Sequence, residues 1–323
     1  TDAAGTSISL GGGTFDSGTL TFNSAGNVAI TEDSAMHVQA ASTALGLTLD
    51  ANGHLTQENV ATITSTTATF RVSTAGPDDA DVLLEFANND VSGALFFEEV
   101  NADALRDVRF RNVSLTAQWP TTPGIATIND FTLQHPNTGI SITQAITLKD
   151  LATSDSGDLD LEAGAGSITQ TVGSTLTIPG TSGLQASGDI TLNEANDFDF
   201  AGLFASDGLV TIEDGQNVSV NDANDILFNA ADASDLTPGD TLDSLTVTAG
   251  GMIFLHDADL GTDTAVVITT AAGQAFNGAT VLEQNTTLNA AGAVTFNGTL
   301  NSDAAMSNRD LAVNNSGATT FVG

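Results

Sequence analysis

Ser187-Gly-Asp-Ile-Thr-Leu-Asn193 sets the pattern for the chain. A glycine opens a short run in which Ile190 and Leu192 alternate with Asp189, Thr191 and Asn193. Alternation at period two puts the apolar side chains on one face of a strand and the polar ones on the other. The same form returns in Gly18-Thr-Leu-Thr-Phe22, Gly26-Asn-Val-Ala-Ile30, Gly157-Asp-Leu-Asp-Leu161 and Gly292-Ala-Val-Thr-Phe296. β-Branched residues and Phe fill these runs, as strands prefer, and Gly, Asn and Asp fill the gaps, as turns prefer. Only Glu98-Glu-Val-Asn-Ala-Asp-Ala-Leu-Arg106 suggests a turn or two of helix.

The strand openings recur. Gly166, Gly188 and Gly208 lie 22 and 20 residues apart, and Gly250 and Gly292 follow at steps of 42. Thr246–Phe254 aligns with Leu288–Phe296 at that same offset. Spacings near 21 and twice 21 predict an all-β, right-handed parallel β-helix (β-solenoid) with about 21 residues per turn. One turn cannot bury its apolar face alone, whereas stacked turns bury it against their neighbours. About 15 turns at ~4.8 Å each would give a rod about 70 Å long. The expected organisation is a single solenoid over 1–323: regular turns in 1–59, irregular turns with loop insertions in 60–155, and regular repeats in 156–323. The middle stretch holds every Arg except Arg309, and most of the prolines.

The region from about 156 onward resembles the repeat regions of large secreted bacterial surface proteins of the filamentous-haemagglutinin and autotransporter-passenger type. The phrases that carry the resemblance are Gly166-Ser-Ile-Thr-Gln-Thr171, Ser187–Asn193, Ala195-Asn-Asp-Phe198, Val218–Asp225, Leu245-Thr-Val-Thr-Ala-Gly-Gly251 and Thr287-Leu-Asn-Ala-Ala-Gly292. The resemblance covers about half the chain. It implies a right-handed parallel β-helix with a surface, adhesive or filamentous role.

Composition narrows the function classes. Forty acidic residues against six basic ones give a net charge of −34, with Lys149 the single lysine. Such a chain does not bind nucleic acid by counterion release, and anionic lipid repels it. With no cysteine, disulfides, zinc thiolates and thiol nucleophiles are excluded. No run approaches 18 apolar residues, so no membrane insertion is expected. The acidic surface suits an extracellular setting. The start at Thr1-Asp2-Ala3-Ala4 has no signal-peptide pattern, and Gly317–Gly323 stops inside a strand pattern. Uncapped ends predict a piece of a longer array or head-to-tail self-association.

Candidate sites are few. Asp158, Asp160 and Glu162 share the outer face of one strand, and Asp197 and Asp199 flank Phe198. Calcium needs six to eight oxygens, so these carboxylates are candidate metal ligands beside the simpler reading of a solvated face. Asn221–Asp225 reads as Asx-turns. Arg106, Arg109 and Arg111 form the basic feature, with Arg109 and Arg111 outward and available to a partner or to ion pairs. Trp119, in Trp119–Gly124, is either a partner contact or a packed loop anchor. The histidines lack metal spacing, and no G-x-S-x-G or phosphate loop is present. The expected role is therefore a structural or adhesive rod that self-associates and contacts a host or matrix glycan or a cell surface. A polysaccharide-active β-helix enzyme and a calcium-dependent binding module stand as alternatives.

Overall fold

The protein is described here from a computed structural model. It describes residues 5–11, 16–73, 80–100, 105–121, 128–151, 155–198, 208–230, 242–256, 265–302 and 308–323. Among them every regular element is a strand, with no helix. Glu98 and Glu99 end strand Leu95–Glu99 and Arg106 lies in strand Leu105–Asn112, so the described part of the expected helix is extended. The chain forms two compact units, Thr1–Ile140 and Ser141–Gly323.

The first unit is a β-solenoid whose regular turns each carry three strands. One turn runs Val28–Glu32, Met36–Val38, Ser42–Thr43, and the next runs Gly46–Ala51, Leu55–Gln57, Ile63–Ser65. Each strand pairs in parallel with its counterpart one turn on. Register keeps like above like. Ile30, Leu49, Phe70 and Phe97 make one buried inward column, and Leu10, 40% exposed, stands in register with its first member. The Phe70 and Phe97 rings stack with centroids 5.9 Å apart, and Phe110 from the facing sheet completes a triad at 5.7 Å from each. All three are fully buried.

The second unit follows the same rule. Strands Leu159–Ala163, Ser182–Ala186, Leu209–Asp214 and Ile226–Ala230 stack in parallel. So do Ile190–Phe198, Asn217–Asp222, Ser244–Leu255 and Gln274–Leu282. The short pair Asp150–Leu151 and Asp155–Ser156 is antiparallel. Phe276, Phe296 and Phe321 form an aromatic ladder with centroid spacings of 5.1 and 5.2 Å. Glycine allows the turns to close in: an added Cβ at Gly250 would meet the Ala223 carbonyl, and one at Gly298 the Gly278 carbonyl.

The parallel stack agrees with the alternating pattern, but the uniform period does not survive. Ile8, Val28, Leu47 and Ala68 follow at 20, 19 and 21 residues. Leu55 to Val82 takes 27, Ser182 to Val210 takes 28, and Leu245 to Gln274 takes 29. Fifteen turns therefore do not fit in the chain. The 42-residue alignment fails in detail too. Phe254 pairs with Val281, and Phe296 with Phe276. The physical reason is that register is fixed by the inward column, while the turns between strands take extra residues at little cost.

Truncating a ring of the buried triad removes its contacts with the other two rings. Phe110→Ala should cost about 3–5 kcal/mol in denaturant unfolding. Phe86→Ala, on the same sheet but 57% exposed, should shift stability by less than about 0.5 kcal/mol.

Candidate functional site

Two features of this scaffold carry chemistry beyond apolar packing: buried polar corners and an outward arginine face. The corners arise where a strand bends and its inward residue meets backbone groups that have no sheet partner. Such groups must be satisfied if buried. In the first unit Gln57 and Asn89, from successive turns, exchange amide hydrogen bonds of 3.0 and 2.9 Å. Asn89 also accepts from the Ile63 N–H at 2.9 Å and donates to the Leu84 carbonyl at 2.7 Å. In the second unit Gln170 and Asn196 repeat the arrangement at 2.7 and 3.1 Å. There Asn196 accepts from the Leu176 N–H at 3.0 Å. In both corners the bonded N–H lies six residues after the glutamine, and the glutamine amide also donates to the carbonyl four residues on. Sequence reasoning noted Gly166–Thr171 only as a repeat phrase. The signal for the corner was an amide at an inward position of an otherwise apolar alternation.

The column continues from Asn196 to Asp222, one turn on. Asp222 accepts from the Phe198 N–H at 2.8 Å and the Asn224 N–H at 2.6 Å, the latter an Asx-turn as its sequence suggested. Burial pushes its carboxyl up to about 6, and nearby Asp197 and Asp225 act in the same direction. In the first unit His135 is buried at the end of strand Phe131–His135. Its Nδ1 lies 3.2 Å from the Gly139 carbonyl, and its Nε2 has no partner among the described residues. Desolvation lowers its pKa to about 4.

The arginine face lies on the outer side of the first unit. Along Leu105–Asn112, Val108, Phe110 and Asn112 are buried, while Arg109 and Arg111 alternate outward. Arg106 is bound to Asp81 through Nε and Nη2 at 3.0 and 2.9 Å, and to Asp107 at 3.2 Å. Arg71 bridges Glu98 and Asp50 on another sheet. Arg109 meets Glu85 only at 3.8 Å, and its Nε has no hydrogen-bond partner among the described residues. Arg111 is held by neutral oxygens, Asn88 Oδ1 at 3.2 Å and Gln134 Oε1 at 3.1 Å. Among the described residues it meets no carboxylate. Trp119, the third partner candidate, is only 8% exposed and packs edge-on against Phe131 at 5.6 Å. It is a loop anchor rather than a presented surface.

The acidic candidates are outward, as their alternation requires: Asp158 and Asp160 are exposed and Glu162 is half-buried beside them. Asp158 Oδ1 accepts from the N–H and hydroxyl of Thr181 at 2.7 and 3.0 Å. Asp197 accepts from the Asn224 amide at 3.0 Å. Asp199 lies outside the described residues. Among the described residues no three acids or histidines cluster as a metal site.

A family model described as repeats of unknown function (DUF5649) matches residues 25–97 and 136–203. The first matched segment contains the Gln57–Asn89 corner and the second the Gln170–Asn196 corner. This chain is a repeat protein. No curated protein and no solved structure matches it.

Breaking a corner exposes the purpose of its amide. Asn196→Leu should cost about 1–3 kcal/mol, because the buried Leu176 N–H loses its acceptor while Gln170 keeps only its bonds to the backbone. Urea midpoints of the two chains would measure this.

The two buried titrating groups make opposite pH demands. Between 3.8 and about 6 the folded chain holds a proton on Asp222 that the unfolded chain lacks, so this carboxyl lowers stability as pH rises through 6. His135 must stay neutral, so its share is full above 6.5 and is lost as pH falls toward 4. Asp222→Asn removes the ionisation but turns an NH2 toward one of the two N–H groups that the carboxyl oxygens accept, so the variant should lose stability below pH 4, and that loss should shrink as pH rises past 6. Calorimetry across that range would record the difference.

Proposed function

We propose that the chain is an extracellular structural or adhesive β-solenoid, working as part of a longer surface array or as a subunit that associates head to tail into a filament. The observation that carries this reading is the continuity of the side-chain ladders. Phe276, Phe296 and Phe321 stack in register from turn to turn. Beside them Asn289 donates to Thr269 at 3.3 Å, and Asn314 donates to Asn289 at 3.0 Å. Ladders that repeat at each turn suit a unit of a longer array or a filament. Amide ladders and stacked rings of this type stabilise repeated parallel strands.

The acidic composition supports an extracellular setting. The resemblance of the second half to filamentous-haemagglutinin and autotransporter-passenger repeats supports a surface role. The outward face with Arg109 and Arg111 is the candidate contact for a host or matrix glycan or a cell surface.

Sedimentation velocity and negative-stain electron microscopy test the reading, across salt concentrations and with and without calcium. Rods or oligomers whose length grows with protein concentration are expected. Discrete monomers under every condition would count against it. A rise in melting temperature on adding calcium would bring the carboxylates Asp158, Asp160, Glu162 and Asp197 into the account.

A further inference from the structure

The arginine face and the carboxylate face have the same pitch. Arg109 and Arg111 stand two residues apart on one strand of the first unit, both outward. Asp160 and Glu162 stand two residues apart on strand Leu159–Ala163 of the second unit, also outward. At ~3.3 Å per residue each pair is spaced by roughly 6.6 Å. Next to the acidic pair, Gly183 has no side chain to separate rows. An added Cβ there would lie 3.6 Å from Asp160 Oδ1 and 3.4 Å from Glu213 Oε1, so the two carboxylates flank a flat gap. No Lys or Arg occurs in Leu159–Ala163, Ser182–Ala186 or Leu209–Asp214.

We propose that the Arg109–Arg111 face of one copy docks on the Asp160–Glu162–Glu213 face of a second copy, making a side-by-side contact between unlike surfaces. This rests on the self-association proposed above and names its lateral partner. The arginine face has capacity left for carboxylates: Arg109 reaches Glu85 only at 3.8 Å, and Arg111 binds neutral amides. Planar guanidinium groups match carboxylates in two-bond geometry, which fixes register as well as charge. Leu83, paired in register with Arg109, and the exposed Phe86 add apolar area on the same sheet. Because the two faces differ, one contact leaves a carboxylate face on one copy and an arginine face on the other, and each of these takes a further copy.

The surrounding charge shapes the salt response. Two chains of −34 repel at long range, and salt relieves that repulsion before it weakens contacts inside a Debye length of ~8 Å. Association should therefore pass through a maximum with salt rather than fall steadily.

Charge reversal provides the test. The double variant Arg109→Glu/Arg111→Glu should lower the association constant about tenfold or more in sedimentation equilibrium. Mixing it with Asp160→Arg/Glu162→Arg should restore association. Melting curves matching the parent show that both variants fold. If a variant does not fold, single-cysteine variants Arg111→Cys and Glu162→Cys replace it, since the chain has no cysteine of its own. Mixed under oxidised glutathione, they should yield a crossed disulfide dimer in preference to either homodimer. Association of the parent with no loss on reversal, no rescue and no crossed dimer overturns this interface while leaving self-association standing. A parent that is monomeric throughout overturns both.

Discussion

Every turn of this chain depends on its neighbours for a place to bury its inward side chains. A single turn is a flat loop of three short strands with a few apolar residues pointing to its centre. Its only dry surface is the face of the turn above or below. The columns Ile30–Leu49–Phe70–Phe97 and Phe276–Phe296–Phe321 are the result. Each fully buried ring contributes about 1.5–3 kcal/mol, and the gain exists only when register holds. The parallel sheets, close glycine contacts and outward polar rows follow from that requirement.

The corners answer a second constraint. Where a strand bends, backbone N–H and C=O groups turn inward and lose their sheet partners. Gln57 with Asn89, and Gln170 with Asn196, meet those groups with side-chain amides that also bond across turns. An amide can donate and accept at once, so it suits the position. Asp222 takes the same column with acceptors only, each oxygen meeting a backbone N–H, and burial raises its pKa. The matching corners lie within the two segments that fit the repeat family, so the repeat is a unit of hydrogen bonding as well as of apolar spacing.

Much of this was legible in the sequence. Alternation in runs such as Gly188–Leu192 reports inward and outward faces directly, because a strand has no other way to sort its side chains. The outward placement of Arg109, Arg111, Asp158 and Asp160 came from the same rule. Turn length was not legible. Glycine spacing suggested a period of 21, yet steps run from 19 to 29, since a turn can lengthen without disturbing the columns. Pairings across turns were hidden for the same reason, and so the Phe254–Phe296 alignment gave way to Phe276–Phe296. Trp119 shows the limit for site residues. Its loop setting left presentation and burial both open, and only the contact with Phe131 decides for burial.

The most direct test of the stacked columns is an NMR experiment on the chain labelled at phenylalanine. Cross-peaks between ring protons of Phe70 and Phe97, and between Phe276 and Phe296, are expected from centroid separations of 5.9 and 5.1 Å. A folded chain that shows neither pair of cross-peaks would contradict the parallel, in-register stack on which the whole account rests.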